Sequence, residues 1–404
     1  MKRILDQTHD KYTFIYACSR LLERTSYYGL RSLIVLYMIG ESINMTTQEA
    51  LQIYGWFTVS IVFSQILGAL LGDLLVGNKK SIIIGGVLQA LGAFCFCIPS
   101  IIGLYIGLAL VVLGGGFYTP NIIAHFGKLY LNKTKLLDSG FTIFYLAVNV
   151  GAFIGVVTIG YLGEKLGWNI GFIIAGVVAL LSVVLPLISA DQANNQVVEK
   201  KLPEIQRALK VLIAFVIVGL FWGLYEISGI RFHDLQFKFG ELAVFDTPKS
   251  IWSSLNTIFI IPVSFVIIIL WTYFYSNQFI KLAIGFLFGA ISYAVLLAIP
   301  ETPTAQYSIL YLVSILFLSI SEVHIAPVIN SVLTQHTNPK YLAIMISIAF
   351  VPIKLFLYIV GLFNEALYEN SSLALKIGMI GMVVMTIGLV MYILIDKILT
   401  RERG

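Results

Sequence analysis

Apolar residues run through this chain in blocks too long for a core helix and too continuous for strands. Twelve can be traced: Phe14–Met38, Leu51–Val76, Ile82–Ile98, Ile101–Phe126, Phe141–Leu162, Trp168–Ile188, Leu209–Ile230, Ile251–Tyr275, Leu282–Ile299, Ile309–Leu333, Leu342–Leu367 and Ile377–Ile395. A helix needs about 20 apolar residues to cross a hydrocarbon core, so the pattern predicts twelve membrane spans. One long polar stretch interrupts it, SADQANNQVVEKKLPEIQRALK from Ser189 to Lys210, which lacks a sustained apolar face and falls near the middle of the chain.

The expected organisation is therefore an N-terminal six-helix half over 1–188, a cytoplasmic linker over 189–210 and a C-terminal six-helix half over 211–404. This is an all-α membrane protein whose two halves resemble the major-facilitator arrangement, in which six-helix halves rock about a site at their interface. Composition agrees with this: 58% of residues are hydrophobic, 12% are charged and the mean hydropathy is +0.91, which excludes an ordinary soluble domain. The opening residues MKRILDQTHDKY lack the short apolar core and cleavage site of a removed signal, so the first span is expected to be retained. Cys18, Cys95 and Cys97 lie in apolar runs and are expected to pack there rather than form disulfides or a zinc site.

The net charge of +5 matters less than its placement. With the amino terminus inside, the inner segments hold 17 of the 26 basic residues, and this bias places both termini in the cytoplasm of an inner membrane. Five basic residues fall in outer segments, Arg231 and Lys238 among them. Anionic lipid and topology account for the basic loops, so no nucleic-acid partner is implied.

Charges within the spans locate the chemistry, because an ionised side chain at membrane depth costs at least about 2.5 kcal/mol and so turns away from lipid. On the first span, Arg20, Glu23, Arg24, Tyr27, Tyr28 and Arg31 recur at helical spacing and form one polar stripe. Opposite charges occur in the second half, Glu226 on the seventh span and Glu322 on the tenth, and Lys354 lies deep in the eleventh. Ion pairs among these groups could gate the rocking motion or serve static packing. His324, a lone histidine beside Glu322, fits a hydrogen-bonded core position. Asn121, Asn149 and Asn256 each interrupt an apolar span, and helix-to-helix bonding explains them as well as solute binding does. Trp222 is the aromatic residue on the second half's charged stripe.

The residues become more specific when taken as strings. ERTSYYGLR on the first span resembles the Glu-x-x-Glu-Arg-Phe-x-Tyr-Tyr motif of the proton-dependent oligopeptide transporters. GDLLVGNKKSIIIGGVLQALG, GGGFYTPNI with GKLY, DSGFTIFYLAVNVGAFIG, FWGLYE, TPKSIWSSLN and SEVHIAPVINSVL are similar to that family's segments, in the same order and on the expected spans. The resemblance implies proton-coupled uptake of di- or tripeptides, or a related small zwitterion, by alternating access. Carried over by position, it gives Arg24 and Arg31 the peptide carboxylate, Asn149 and Asn256 the peptide backbone, and Glu322 the amino group. By the same resemblance Tyr27 and Tyr28 would line the pocket, Glu23 would be a coupling acid and Glu226 would pair with Arg31. The charged stripes themselves add Trp222 to the pocket and Arg20, Glu322 and Lys354 to the coupling or gating residues, Lys354 as the expected partner of Glu322.

The chain also departs from the pattern. Arg20 stands in place of the motif's first glutamate, Thr25 in place of its phenylalanine, Thr119 where a lysine is usual, Val62 at a pocket tyrosine position, and Ile227 where glutamine is common; the two helices many bacterial members insert between the halves are missing. These changes leave room for an exporter or facilitator of a non-peptide solute, and for a sensor on the same scaffold that does not transport. An enzyme is not expected, since His9, His125, His233, His324 and His336 are scattered without ligand spacing. No cofactor is implied; protons, membrane lipid and a peptide-like solute are the expected partners, and a monomer the expected state.

Overall fold

The structure is a computed structural model that describes residues 8–189, 202–242 and 249–401. It is all-helical among those residues. The first six long helices are α1 (Lys11–Ile39), α2 (Thr47–Leu71), α3 (Asn78–Cys95), α4 (Ile101–Lys128), α5 (Leu137–Ile154) and α6 (Trp168–Ile188). The second six are α7 (Glu204–Glu241), α8 (Lys249–Tyr273), α9 (Gln278–Leu297), α10 (Ser308–His336), α11 (Leu342–Leu362) and α12 (Ser371–Arg401).

Among the described residues, ten helices are long and apolar enough to cross a membrane. The other two long ones are α1, which carries Arg20, Glu23, Arg24 and Arg31, and α3, which opens on Lys79 and Lys80. The chain is a multi-pass membrane protein. The largest difference from the apolar blocks is α7, which starts at Glu204 and runs to Glu241. Residues 190–201 of the expected linker lie outside the described residues, and its last seven are already helical. Arg231 and Lys238 consequently sit on this helix rather than in an outer loop. Arg231 is buried and donates to Asp234 at 2.6 Å and to the carbonyls of Ile299 and Pro300 at 3.1 and 2.9 Å.

The chain divides into two compact units, Met1–Ala208 with Leu333–Ile348, and Leu209–Val332 with Ala349–Gly404. In the first, α1 packs against α5 and α6, α3 against α4 and α6, and α2 against α4. Lipid tails are as apolar as leucine, so close backbone approach rather than hydrophobic exclusion holds such helices together. Gly155 shows this where α5 widens into a π-helical segment, Gly155–Gly160, beside α1: a Cβ there would stand 2.9 Å from the Gly29 nitrogen and collide with the Thr25 carbonyl. That contact sets α1's polar stripe against α5.

Polar bonding reinforces the first unit at the end of α2. Asn121, fully buried on α4, donates to the carbonyls of Gly68 and Phe117 at 2.9 and 2.8 Å and accepts from Asn78 at 2.7 Å, so this asparagine bonds helix to helix. Asn78 also donates to Asp73 and accepts from Lys128, while the Ile344 amide donates to Asp73 at 2.9 Å. Lys128 is thus a buried residue of α4, not a free loop charge. In the second unit α9 packs on α12, α7 meets Phe356 of α11 at Gly219 and Gly223, and Ser292 and Ser314 exchange hydrogen bonds between α9 and α10. Of the cysteines expected to pack inside, Cys18 is exposed on α1, because the opposite face of that helix takes the charged stripe.

Ahead of α1, His9 meets the Tyr130 hydroxyl at 2.8 Å through Nδ1, and Thr13 meets the same hydroxyl at 2.7 Å. Burial, and secondarily the charge of Lys133, lower the His9 pKa, while burial raises that of Tyr130. A histidine held neutral by the fold contributes stability above its ordinary pKa of about 6.5 and loses it as pH falls below that value. Amide exchange at residues 8–13 should therefore quicken on going from pH 7.5 to pH 5, beyond the intrinsic pH effect, and His9→Gln should remove that excess.

The Gly155 contact carries its own expectation. Gly155→Val should force α1 from α5 and cost about 1 to 3 kcal/mol by overpacking, read as a lower unfolding midpoint of the purified protein in detergent; an unchanged midpoint would mean the contact is slack.

Candidate functional site

In the first unit the site grows from α1. A helix places residues three, four and seven apart on one face, so Arg20, Glu23, Arg24 and Tyr27 share a stripe. Glu23 is fully buried and takes Arg24 as a fork, Nε to Oε2 at 2.7 Å and Nη2 to Oε1 at 2.5 Å. Arg20 adds a third bond, Nη1 to Oε2 at 3.0 Å. One carboxylate therefore serves two guanidinium groups. The surplus of donors reaches α4, where the Thr119 hydroxyl accepts from Arg20 at 3.1 Å and Arg24 at 3.5 Å. A lysine at that position would add a third cation to the cluster; threonine supplies an acceptor instead.

Aromatic faces complete the cluster. The Arg24 guanidinium lies 4.5 Å from the Tyr27 ring centroid and 5.6 Å from that of Tyr28, and Arg20 lies 5.8 Å from that of Phe144 on α5. Such cation–ring contacts are worth about 2 kcal/mol or more when desolvated. Arg31, a further two turns along, is half-buried; it donates to the Tyr54 hydroxyl of α2 and lies 5.5 Å from that ring. Asn149 on α5 is half-buried with its amide donating to the Tyr145 carbonyl of its own helix at 3.0 Å, which leaves its oxygen to accept.

The second unit gathers a different set. Glu322 on α10 is buried and accepts from the Asn256 amide of α8 at 3.1 Å. The same amide donates to the Tyr225 hydroxyl of α7 at 3.1 Å, and the Asn256 oxygen accepts from Ser319 at 3.0 Å. Trp222 packs on Tyr225 with ring centroids 5.3 Å apart. Glu226 and Lys354 are exposed on α7 and α11. His324 is buried, with Nδ1 donating to the Ile320 carbonyl at 2.7 Å, and its ring meets Trp271 edge-on.

The expected residues thus fall into three sets. Arg20, Glu23, Arg24, Tyr27 and Tyr28 form one cluster, and Glu322, Asn256 and Trp222 gather around Tyr225. In the third set Arg31 donates to Tyr54, Asn149 bonds within its own helix, and Glu226 and Lys354 are exposed. Tyr54, Tyr225 and Ser319 were missed by the sequence reading. Tyr225 had a signal, since it adjoins Glu226 in FWGLYE; Tyr54 and Ser319 had none beyond being polar in an apolar span.

The profile of the Major Facilitator Superfamily matches residues 16–351, and the chain belongs to that family of transporters. Among curated proteins, the transporter YclF of Bacillus subtilis is 32% identical over 186 residues, 44% of this chain and 37% of the relative. The peptide transporter YePEPT of Yersinia enterocolitica is 32% identical over 174 residues, 41% and 34%, and a di-/tripeptide transporter of Lactococcus lactis is 27% identical over 226 residues, 52% and 45%. The chain thus spans less than half the length of the curated relatives it matches. Among solved structures, a mutant of the peptide transporter POT superposes with a TM-score of 0.65 over 94% of each chain at 21% identity. A POT family transporter bound to a thioalcohol-conjugated peptide superposes with a TM-score of 0.62 over 95% of this chain and 96% of that one, at 20% identity. The fold is that of the POT transporters.

The Glu23 hub yields a direct expectation. Removing the buried carboxylate leaves Arg20 and Arg24 without their counter-ion, and breaking such a pair costs about 3 to 5 kcal/mol. Glu23→Ala should lower the unfolding midpoint far more than Glu226→Ala, whose side chain is exposed, when both are measured in the same detergent.

Proposed function

We propose that the chain is a secondary transporter that takes up di- or tripeptides, or a closely related zwitterion, by alternating access with protons. The observation that carries this reading is the opposite sign of the two polar clusters. The first unit offers Arg24 and Arg31 on the stripe that holds Glu23, a set suited to a carboxylate; the second offers the carboxylate of Glu322, hydrogen-bonded to Asn256, suited to an ammonium. A zwitterion has one partner for each. The names of two of the relatives and of the superposed structures, which are peptide transporters, support the same solute class.

On this reading Arg24 and Arg31 hold the carboxylate, Asn149 and Asn256 the peptide backbone, and Tyr27, Tyr28 and Trp222 the side chains. Glu322 takes the amino group, and Glu226, Lys354 and Arg31 serve coupling or gating. Division into two six-helix halves joined through 189–210, an inner-membrane location with both termini cytoplasmic, and a monomeric state complete the proposal.

A second reading keeps the scaffold but changes the solute or the coupling, as for an exporter or facilitator. It is favoured by Arg20, which stands where the resembling motif carries an acid and bonds Glu23 and Thr119 instead. With two guanidinium partners Glu23 is committed to an ion pair, so proton coupling on the first reading passes to Glu226 or Glu322.

Purified protein in liposomes tests both. Capping either terminus of a dipeptide should weaken its binding by about 1.5 to 3 kcal/mol, the value of a hydrogen bond to a charged group. In the same liposomes, pH-driven uptake should lose its proton dependence in Glu226→Gln or Glu322→Gln. Equal affinity for capped and free dipeptides would reject the zwitterion, and loss of proton dependence in Glu23→Gln alone would reject the shift of coupling.

A further inference from the structure

In the second unit, α7 leaves its apolar block at Ile230 and turns polar, with Arg231, Asp234, Lys238 and Glu241 following in the sequence. Beside this end lies a depression of about 420 Å³, the size of a small-molecule site. Three parts of the unit wall it: α7, the connection from α9 to α10 at Glu301, and the connection from α11 to α12 at Tyr368 and Glu369. Ionisable side chains gathered past the end of an apolar block belong to the aqueous side, so a dissolved ligand reaches this depression without crossing lipid.

Floor and rim differ in what they offer. On the floor, Arg231 is buried and bonded to Asp234 and to the carbonyls of Ile299 and Pro300. Lys238 donates to the same Asp234 at 2.9 Å and to the Glu301 carbonyl at 2.8 Å, so both cations are turned to the wall and tie its parts together. On the rim, Glu301 and Glu369 are exposed, and among the described residues no hydrogen bond or ion pair holds either carboxylate. Phe237 and Tyr368 line the same space, 63% and 60% exposed. Asp234, Glu301 and Glu369 against Arg231 and Lys238 leave one negative charge in excess among these groups.

Aromatic faces and carboxylates both favour a positive group, the rings through their quadrupole and the acids through their charge. A bare divalent ion needs several ligands converging on one point, and no group of three His, Cys, Asp or Glu side chains does so among the described residues. A cation with a carbon skeleton can instead span the two carboxylates and cover the rings. We propose that this depression binds a small organic ammonium, its charge at Glu301 and Glu369 and its carbon chain on Phe237 and Tyr368. None of these residues belongs to the proposed solute site, so the proposal stands apart from the solute reading. A free amine and the amino terminus of a peptide share the chemistry.

Saturation-transfer NMR of the full chain in nonionic detergent tests it with three four-carbon probes that differ in charge: putrescine, succinamide and succinate. Putrescine should bind saturably, and the other two should not. Glu301→Gln and Glu369→Gln should each weaken putrescine by up to about fivefold, the scale of an exposed ion pair, and Tyr368→Leu should do so by a similar factor, roughly that of an exposed cation–ring contact. All three side chains are exposed, and the unfolding midpoint of each variant checks that the fold is kept. The dipeptide Ala-Ala separates the two sources: it displaces putrescine if a peptide ammonium is an occupant and leaves it bound if only free amines are, and either result supports the site. Failure of putrescine to saturate would overturn the proposal, as would equal binding of succinamide or succinate. Unchanged putrescine binding in the double carboxylate variant would overturn this depression as the seat.

Discussion

Glu23 holds the first unit's polar interior together. A carboxylate with no exposure, inside an apolar bundle, is stable there only because two guanidinium groups approach it on one side of the same helix. The arrangement leaves one positive charge in excess, and that excess is spread over Thr119 and the faces of Tyr27, Tyr28 and Phe144 rather than neutralised. The close glycine contact of α5 with α1 is what keeps the cluster's geometry, because neither helix can roll without breaking it.

The second unit places its buried carboxylate differently. Glu322 of α10 accepts from the Asn256 amide of α8, and the same asparagine is tied to Tyr225 of α7 and to Ser319, so three helices meet at one polar side chain.

Hydropathy alone determined the number, order and approximate ends of the helices, because hydrocarbon admits only backbones whose hydrogen bonds are internal and so makes each crossing a visible apolar block. It also determined the stripe on α1, since helical periodicity places Arg20, Glu23, Arg24 and Tyr27 on one face whatever they pack against. Only the tertiary structure decided who meets whom. Tyr54, Tyr225 and Ser319 became partners through helix rotation and crossing, which a hydropathy profile does not contain. The same holds for Arg231 and Lys128, which count as loop charges along the chain and turn out to be buried, hydrogen-bonded members of helices. An apolar block marks where the membrane is, but a long cationic side chain can lie back along its helix, so the partner that receives it has to come from another part of the fold.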